Sequence, residues 1–244
     1  MRFFFLFGLV AVGCAPLYIP TTRNVPLFRE RGEFQASVIV SNGVEAQTAV
    51  SLTDNIALMA NTSILRQKIS EPESYTRVNS FSEAGLGYYK VNRRSRLEIF
   101  AGYGFGSGTS FAQYYFFANS FGGQQDLVAT GKCRRFFIQP SYGQNNRRFN
   151  LAFTPRFSVV NFYEFSSNDN TPTNPTVTVM PDEKPRLFLE PALTGKFPLA
   201  GNLQGMFQLG LNVRLSGDGF FDYVPLQVAL GIQFNSGSLR TRVY

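Results

Sequence analysis

Residues 203–215 read Leu-Gln-Gly-Met-Phe-Gln-Leu-Gly-Leu-Asn-Val-Arg-Leu. Leu203, Gly205, Phe207, Leu209, Leu211, Val213 and Leu215 fall on one face of an extended chain. Gln204, Met206, Gln208, Gly210, Asn212 and Arg214 fall on the other. The next stretch repeats the pattern, with Leu226, Val228, Leu230, Ile232 and Phe234 set against Gln227, Ala229, Gly231, Gln233 and Asn235. A period of two sustained over this length predicts strands with one apolar and one polar face. A soluble β-sandwich rich in core phenylalanine also alternates, with its apolar face inward. Two features favour a transmembrane barrel instead. The runs match the roughly 9–11 residues that a tilted strand needs to cross hydrocarbon, and the polar face carries the Gly, Gln, Asn and charge expected of a small lumen.

Working outward, the pattern predicts ten strands, at 33–41, 44–52, 56–66, 79–90, 96–107, 133–144, 149–163, 186–197, 203–215 and 224–234. The intervening segments alternate in character. Thr53-Asp54-Asn55, Asn92–Ser95, Asn145–Arg148 and Ala200-Gly201-Asn202 carry the residues of tight reversals. Residues 67–78, 108–132, 164–185 and 216–223 are longer, and the apolar, aromatic stretch from Phe111 to Phe117 could prolong its neighbouring strands. The exception is Asn42-Gly43, a two-residue hairpin signal on the long-loop side. The predicted fold is therefore all-β, an antiparallel up-and-down transmembrane β-barrel of about ten strands, with short turns in the periplasm. Aromatic clusters flank the apolar band. Tyr114–Phe117, Phe136-Phe137, Phe162-Tyr163-Phe165 and Phe220-Phe221-Tyr223 lie toward the long loops, and Tyr88-Tyr89, Phe149, Phe197 and Phe234 toward the short turns, as interfacial belts would.

Composition narrows the function. The 244 residues include 26 Phe and 11 Tyr but no His and no Trp. Without histidine, the usual activator of serine or water is missing, and no enzymatic activity is expected. The two cysteines, Cys14 and Cys133, do not form a metal-ligand set, and neither a metal nor another cofactor is predicted. The alternating Gly102, Gly104, Gly106 and Gly108 precede no helix, so they make room inside a barrel rather than cradle phosphate. No stretch after residue 14 offers about 18 consecutive apolar residues, which leaves a closed barrel as the only way to span a membrane.

The amino terminus, MRFFFLFGLVAVGC, has Arg2, an apolar run from Phe3 to Val12, and small residues before Cys14. This is the layout of a secretory signal peptide. Ala11-Val12-Gly13-Cys14 resembles a bacterial lipobox, which implies a diacylglyceryl group on the Cys14 thiol and cleavage before it. The expected organisation is a signal peptide at 1–13, a lipidated extended tether at 14–32, the barrel at 33–235 and a periplasmic tail at 236–244. If Cys14 carries lipid, Cys133 has no disulfide partner.

Cys14–Pro20 (CAPLYIP), Asn24-Val25-Pro26-Leu27-Phe28, Ser51–Leu58 (SLTDNIAL) and Glu190-Pro191-Ala192-Leu193 together resemble small outer-membrane barrel lipoproteins of the Bacteroidota. The resemblance extends thinly over most of the chain, and its motifs carry no catalytic meaning. Cys14 does not precede the acidic run that marks surface-exported lipoproteins in those bacteria. The resemblance thus implies a lipid facing the periplasm, and the even strand number independently places both termini on the short-turn side.

Three residue sets are candidates for function. Following the alternation, Glu83, Glu98, Glu190, Arg96, Arg135, Arg156 and Arg214 point into the lumen, where a charge is tolerable only if paired or hydrated. They either interlock and plug the barrel or line a narrow pore or pocket, and Glu190 is expected to pair with one of the arginines. Pro140, Pro155 and Pro191 fall mid-strand on consecutive strands, where missing donors predict a seam of weakened pairing or a set of tolerated bulges. The net charge of +7 is unevenly placed. Arg23, Arg29, Arg31, Arg93, Arg94, Arg147, Arg148, Arg240 and Arg242 map to the short-turn side, as contacts for anionic phospholipid or for an acidic partner. Outer-membrane lipids and another envelope protein are the expected partners, and secretion argues against nucleic acid. Two functions stay open: a structural or accessory subunit of an envelope assembly, or a small porin or ligand-binding barrel.

Overall fold

The computed structural model describes residues 17–69, 75–116, 123–146, 148–169, 184–217 and 223–237. All its regular elements are strands: β1 (Phe34–Val40), β2 (Val44–Ser51), β3 (Ile56–Ile69), β4 (Tyr75–Val91), β5 (Ser95–Phe116), β6 (Gly123–Gln144), β7 (Asn150–Asp169), β8 (Arg186–Ala200), β9 (Leu203–Leu211), β10 (Val213–Arg214) and β11 (Leu226–Asn235). Each pairs antiparallel with its neighbours in sequence order, and β1 pairs with β11 to close the sheet on itself. The two-residue β10 continues β9 past Asn212 and pairs with β8, so eleven segments make ten staves. The chain is a closed ten-stranded antiparallel barrel.

The two faces of the wall are inverted relative to a soluble sandwich. Val228, Leu230 and Ile232 are 59%, 64% and 55% exposed, while Ala229 between them and Gln227 and Gln233 on either side are 2% exposed. The same holds around the barrel: Val38, Phe105, Ile138 and Leu209 face outward, and Gln35, Gln139, Thr194 and Gln208 are buried inside. An apolar band this continuous is stable only against hydrocarbon, and it gives the molecule the character of an outer-membrane β-barrel.

The strands match expectation in number and order, and differ mainly at the ends away from the short turns. β5 and β6 run to 22 residues each, pairing from Ser95↔Gln144 to Phe116↔Gly123. That is about twice what hydrocarbon requires, so the stretch assigned to a loop at 108–132 largely prolongs both strands. At the other end the turns are short. In the turn after β2, the Thr53 hydroxyl accepts the Ile56 amide at 2.9 Å, and Gly201 takes a left-handed φ of 55°. Tyr88, Phe149, Phe197 and Phe234 are outward rings near these turns. Tyr89, Phe137 and Phe162, expected in the aromatic belts, instead point into the barrel and are buried there.

The segment before β1 departs most from expectation. Residues 17–28 are extended, but they do not hang free as a tether: eleven of the twelve are buried, and Ile19 is partly so. They run down the lumen. Leu17 and Tyr18 lie at the long-strand end, where Asn79 donates to the Leu17 carbonyl at 3.2 Å and Tyr18 bridges to Tyr223. Phe28 lies at the short-turn end, its ring 5.3 Å from that of Tyr89, whose hydroxyl donates to Thr53 O. Toward the carboxyl end, Ser236 N donates to Phe34 O beside the short turns. Leu17, the first described residue, stands at the opposite end of the lumen from that contact.

Candidate functional site

An extended segment inside a barrel cannot leave its amides and carbonyls unpaired, and residues 17–29 are not a strand of the sheet. Side chains from the wall pair with their backbone instead. Carboxylates accept the amides: Thr22 N donates to Glu45 (2.9 Å), Phe28 N to Glu98 (2.8 Å) and Arg29 N to Glu33 (2.6 Å). Amides and cations serve the carbonyls. Gln227 donates to Pro20 O (2.9 Å), Arg156 to Thr21 O (2.9 Å), Gln47 to Thr22 O (2.8 Å), Gln208 to Arg23 O (2.9 Å) and Gln139 to Asn24 O (2.6 Å). Arg96 reaches Leu27 O (2.5 Å), and Lys196 serves Val25 O and Pro26 O. Pro20 and Pro26 have no amide to satisfy, so they cost nothing here.

The charges meet halfway down. Arg156 Nε donates to Glu190 Oε2 at 2.7 Å and Arg156 Nη1 to Glu83 Oε1 at 3.4 Å, while Arg135 pairs with Glu83 Oε2. All four side chains are fully buried, and the two carboxylates balance the two guanidiniums. The segment contributes to this cluster. Tyr18 Oη donates to Glu190 Oε1 (3.0 Å) and accepts from Arg135 (2.8 Å), and Thr21 Oγ1 accepts from Arg135 (2.7 Å). Asn61 and Ser158 complete the carboxylates at 2.8 and 3.0 Å. A buried ion costs several kcal/mol unless its partners are in place, so the wall and the segment are mutually required. The inner-face glycines make the space: a side chain on Gly108 would strike Leu17 O, and one on Gly104 would strike Phe81 and Glu83.

Of the lumen residues expected from sequence, Glu83, Arg135, Arg156 and Glu190 form the cluster. Glu98 and Arg96 hold the lower end of the plug. Arg214 is only partly buried and lies at the upper end, 5.7 Å over the Tyr223 ring. The prolines do interrupt the ladder. Between β6 and β7 the register passes from Ile138↔Phe157 directly to Tyr142↔Phe153, skipping the rungs at Pro140 and Pro155. Between β8 and the β9–β10 stave it passes from Leu189↔Val213 to Ala192↔Gly210. β7 and β8 stay paired, with Pro155 opposite Pro191.

Arg23, expected on the periplasmic face, is fully buried instead and closes the second gap. It donates to the carbonyls of Glu190 and Leu211 (3.0 Å each), to Gln227 (2.7 Å) and to Asn212. Of the other basic-face residues, Arg31, Arg93, Arg94 and Arg148 are exposed and Arg29 partly so. Arg147, Arg240, Arg242 and Cys14 lie outside the described residues. Glu33, Glu45, Gln47 and Lys196 are lumen residues that were not singled out from sequence. Two signals pointed to them. Glu33-Gln35-Ser37 and Glu45-Gln47 repeat the polar alternation, and residues 14–28 carry a single charge, which is few for a solvent-washed tether.

Among the described residues no group of three His, Cys, Asp or Glu side chains could hold a metal ion, and Cys133 is a buried free thiol. What the arrangement does physically is fill the lumen and fix one end of the chain within it.

No family profile and no curated protein matches the chain. Among solved structures it is similar to the translocator domain of the autotransporter NalP from Neisseria meningitidis, at 8% identity and TM-score 0.44 over 83% of this chain and 86% of that one. It is also similar to the KdgM porin in complex with disordered oligogalacturonate (6%, 0.35, 83% and 98%) and to the CymD monoaromatic hydrocarbon channel (7%, 0.27, 86% and 89%). Identities this low transfer no residue roles.

Proposed function

We propose that this chain is a plugged, non-enzymatic outer-membrane barrel lipoprotein that serves as a structural or accessory subunit of an envelope assembly. The observation that carries this reading is the filled lumen. Residues 17–28 occupy it, and a neutral, fully buried cluster of Glu83, Arg135, Arg156 and Glu190 closes around Tyr18 and Thr21. A pore-former keeps hydrated charges along an open path, whereas these charges are consumed by one another and by the plug. The resemblance to barrel lipoproteins of the Bacteroidota and the lipobox at 11–14 support lipidation at Cys14. In that step the thiol sulfur displaces the phosphate headgroup of a phospholipid donor to form a thioether, and the thiol proton leaves with the headgroup. Hydrolysis of the Gly13–Cys14 bond then frees the amine for acylation. The exposed arginines beside the short turns are the surface on which an acidic periplasmic protein would dock.

Planar-bilayer recording of the purified, folded protein tests the reading. It requires silence, and reproducible single-channel steps would replace it with a porin. Extraction of native membranes in mild detergent, followed by identification of co-purifying proteins, tests the accessory role.

A further inference from the structure

The course of the plug determines where the residues before it leave the barrel. Leu17 is level with Asn79 and Phe28 with Tyr89 on β4, a separation of ten strand residues, or roughly 33 Å along the strand. The chain therefore enters the lumen at the long-strand end and descends. Three residues join Cys14 to Leu17, and fully extended they reach about 11 Å at most. The hydrocarbon layer is about 30 Å thick. A lipid attached three residues before Leu17 would therefore be out of reach of the leaflet beside the short turns.

The wall at the long-strand end has a low point. β1 stops at Val40 and β2 begins at Val44, while β3 beside them pairs at Val44↔Ile64 and continues to Ile69. The tip at Asn42-Gly43 is held down against β3 so tightly that a side chain on Gly43 would lie 2.5 Å from Ile64 O. The upper end of the plug lies under this notch: Leu17, Tyr18 and Pro20 line one cavity with Ser41, Asn42 and Gly43.

We propose that the acyl chains on Cys14 leave the barrel over the Asn42-Gly43 notch and insert in the leaflet beside the long strands. With the short turns in the periplasm, this is the outer leaflet, and the chain is anchored from the cell surface. The proposal rests on the lipidation reading above and reverses the leaflet that the missing acidic run implied. It also gives the plug a fixed upper end: the segment is tied to the membrane above and to β1 below.

The experiment labels intact cells. Ala15→Cys adds one thiol beside the lipid site, read with a membrane-impermeant maleimide, and Cys133 is buried and silent. An epitope inserted between Cys14 and Ala15 gives a second readout, and the same epitope in the Arg93-Arg94 turn reports the other side. Folding of each variant is checked by its shifted mobility in unboiled gels. The expected result is labelling of residue 15 and of the amino-terminal epitope in intact cells, with the turn epitope reached only after permeabilisation. Residue 15 sheltered together with the turn epitope overturns the proposal. Incorporation of an alkyne fatty acid, abolished by Cys14→Ala, reads the lipid separately. Label present with residue 15 sheltered refutes the leaflet alone. Label absent with residue 15 exposed refutes lipidation, and the leaflet assignment with it.

Discussion

Arg23 Nε donates to the main-chain carbonyl of Glu190 at 3.0 Å, at the point where β8 and its neighbouring stave stop pairing. Pro191 has no amide to offer across that gap, and the amide of Asn212 is turned away to Pro225 O. The guanidinium therefore replaces rungs of the ladder, taking Leu211 O as well, from inside the lumen. Arg23→Met leaves these buried carbonyls and the Gln227 and Asn212 oxygens short of a donor, at about 1–3 kcal/mol for each group orphaned. Arg23→Lys does not rescue, because one ammonium cannot span acceptors arranged for a fork. Urea unfolding in detergent or vesicles reads both, and a lysine variant as stable as the parent would refute this role.

Glu190 and Arg156 are coupled in the charge cluster. Glu190→Gln leaves Arg156 with the longer contact to Glu83 as its one ion pair among the described residues, and removing one partner of a buried pair costs about 3–5 kcal/mol. Arg156→Met strands Glu190 in turn. The double variant Arg156→Met with Glu190→Gln should lose clearly less than the sum of the singles. A double-mutant cycle on unfolding midpoints measures this, and additive losses would show that the pair contributes no net coupling.

The barrel was legible in the sequence because its information is local. A period of two over 203–215 and 226–235 assigns every side chain to the lipid or the lumen, and the tight turns mark where the strands end. The charge cluster was legible for the same reason: Glu83, Arg135, Arg156 and Glu190 each sit on a regular strand. The plug was not. Residues 17–28 have no period and include Pro20 and Pro26, because their backbone is satisfied by Glu45, Gln139, Lys196, Gln208 and Gln227, side chains far away in sequence. Arg23 and Arg31 look alike along the chain, yet one is sealed in the lumen and the other faces solvent. Only the fold separates them. The far ends of β5 and β6 stayed open between loop and strand because strand pairing beyond the membrane needs no apolar outward face.

Weakening the plug without touching the ion pairs should open the lumen. Glu45→Ala with Glu98→Ala removes the acceptors of Thr22 N and Phe28 N, each loss being of the order of 1–3 kcal/mol. The wall stays closed through its main-chain ladder. Single-channel recording is expected to show brief openings in the double variant against a silent parent. A variant as silent as the parent, and equally folded, would mean that other contacts suffice to hold the segment.

The arginines beside the short turns should act in binding and not in folding. Arg93, Arg94 and Arg148 are exposed, and surface substitutions of this kind usually change stability by no more than about 0.5 kcal/mol. Replacing Arg93, Arg94, Arg147 and Arg148 with Glu should leave the unfolding midpoint within that range while removing co-purifying periplasmic protein. The parent interaction should also weaken as salt rises, since the screening length falls from about 10 Å at 0.1 M to about 3 Å at 1 M. Anionic phospholipid is the competing target, and binding to vesicles with and without anionic lipid separates the two. If the reversed variant retains its partners in mild detergent but loses vesicle binding, the face reads lipid headgroups, and an accessory role would have to be carried by another surface.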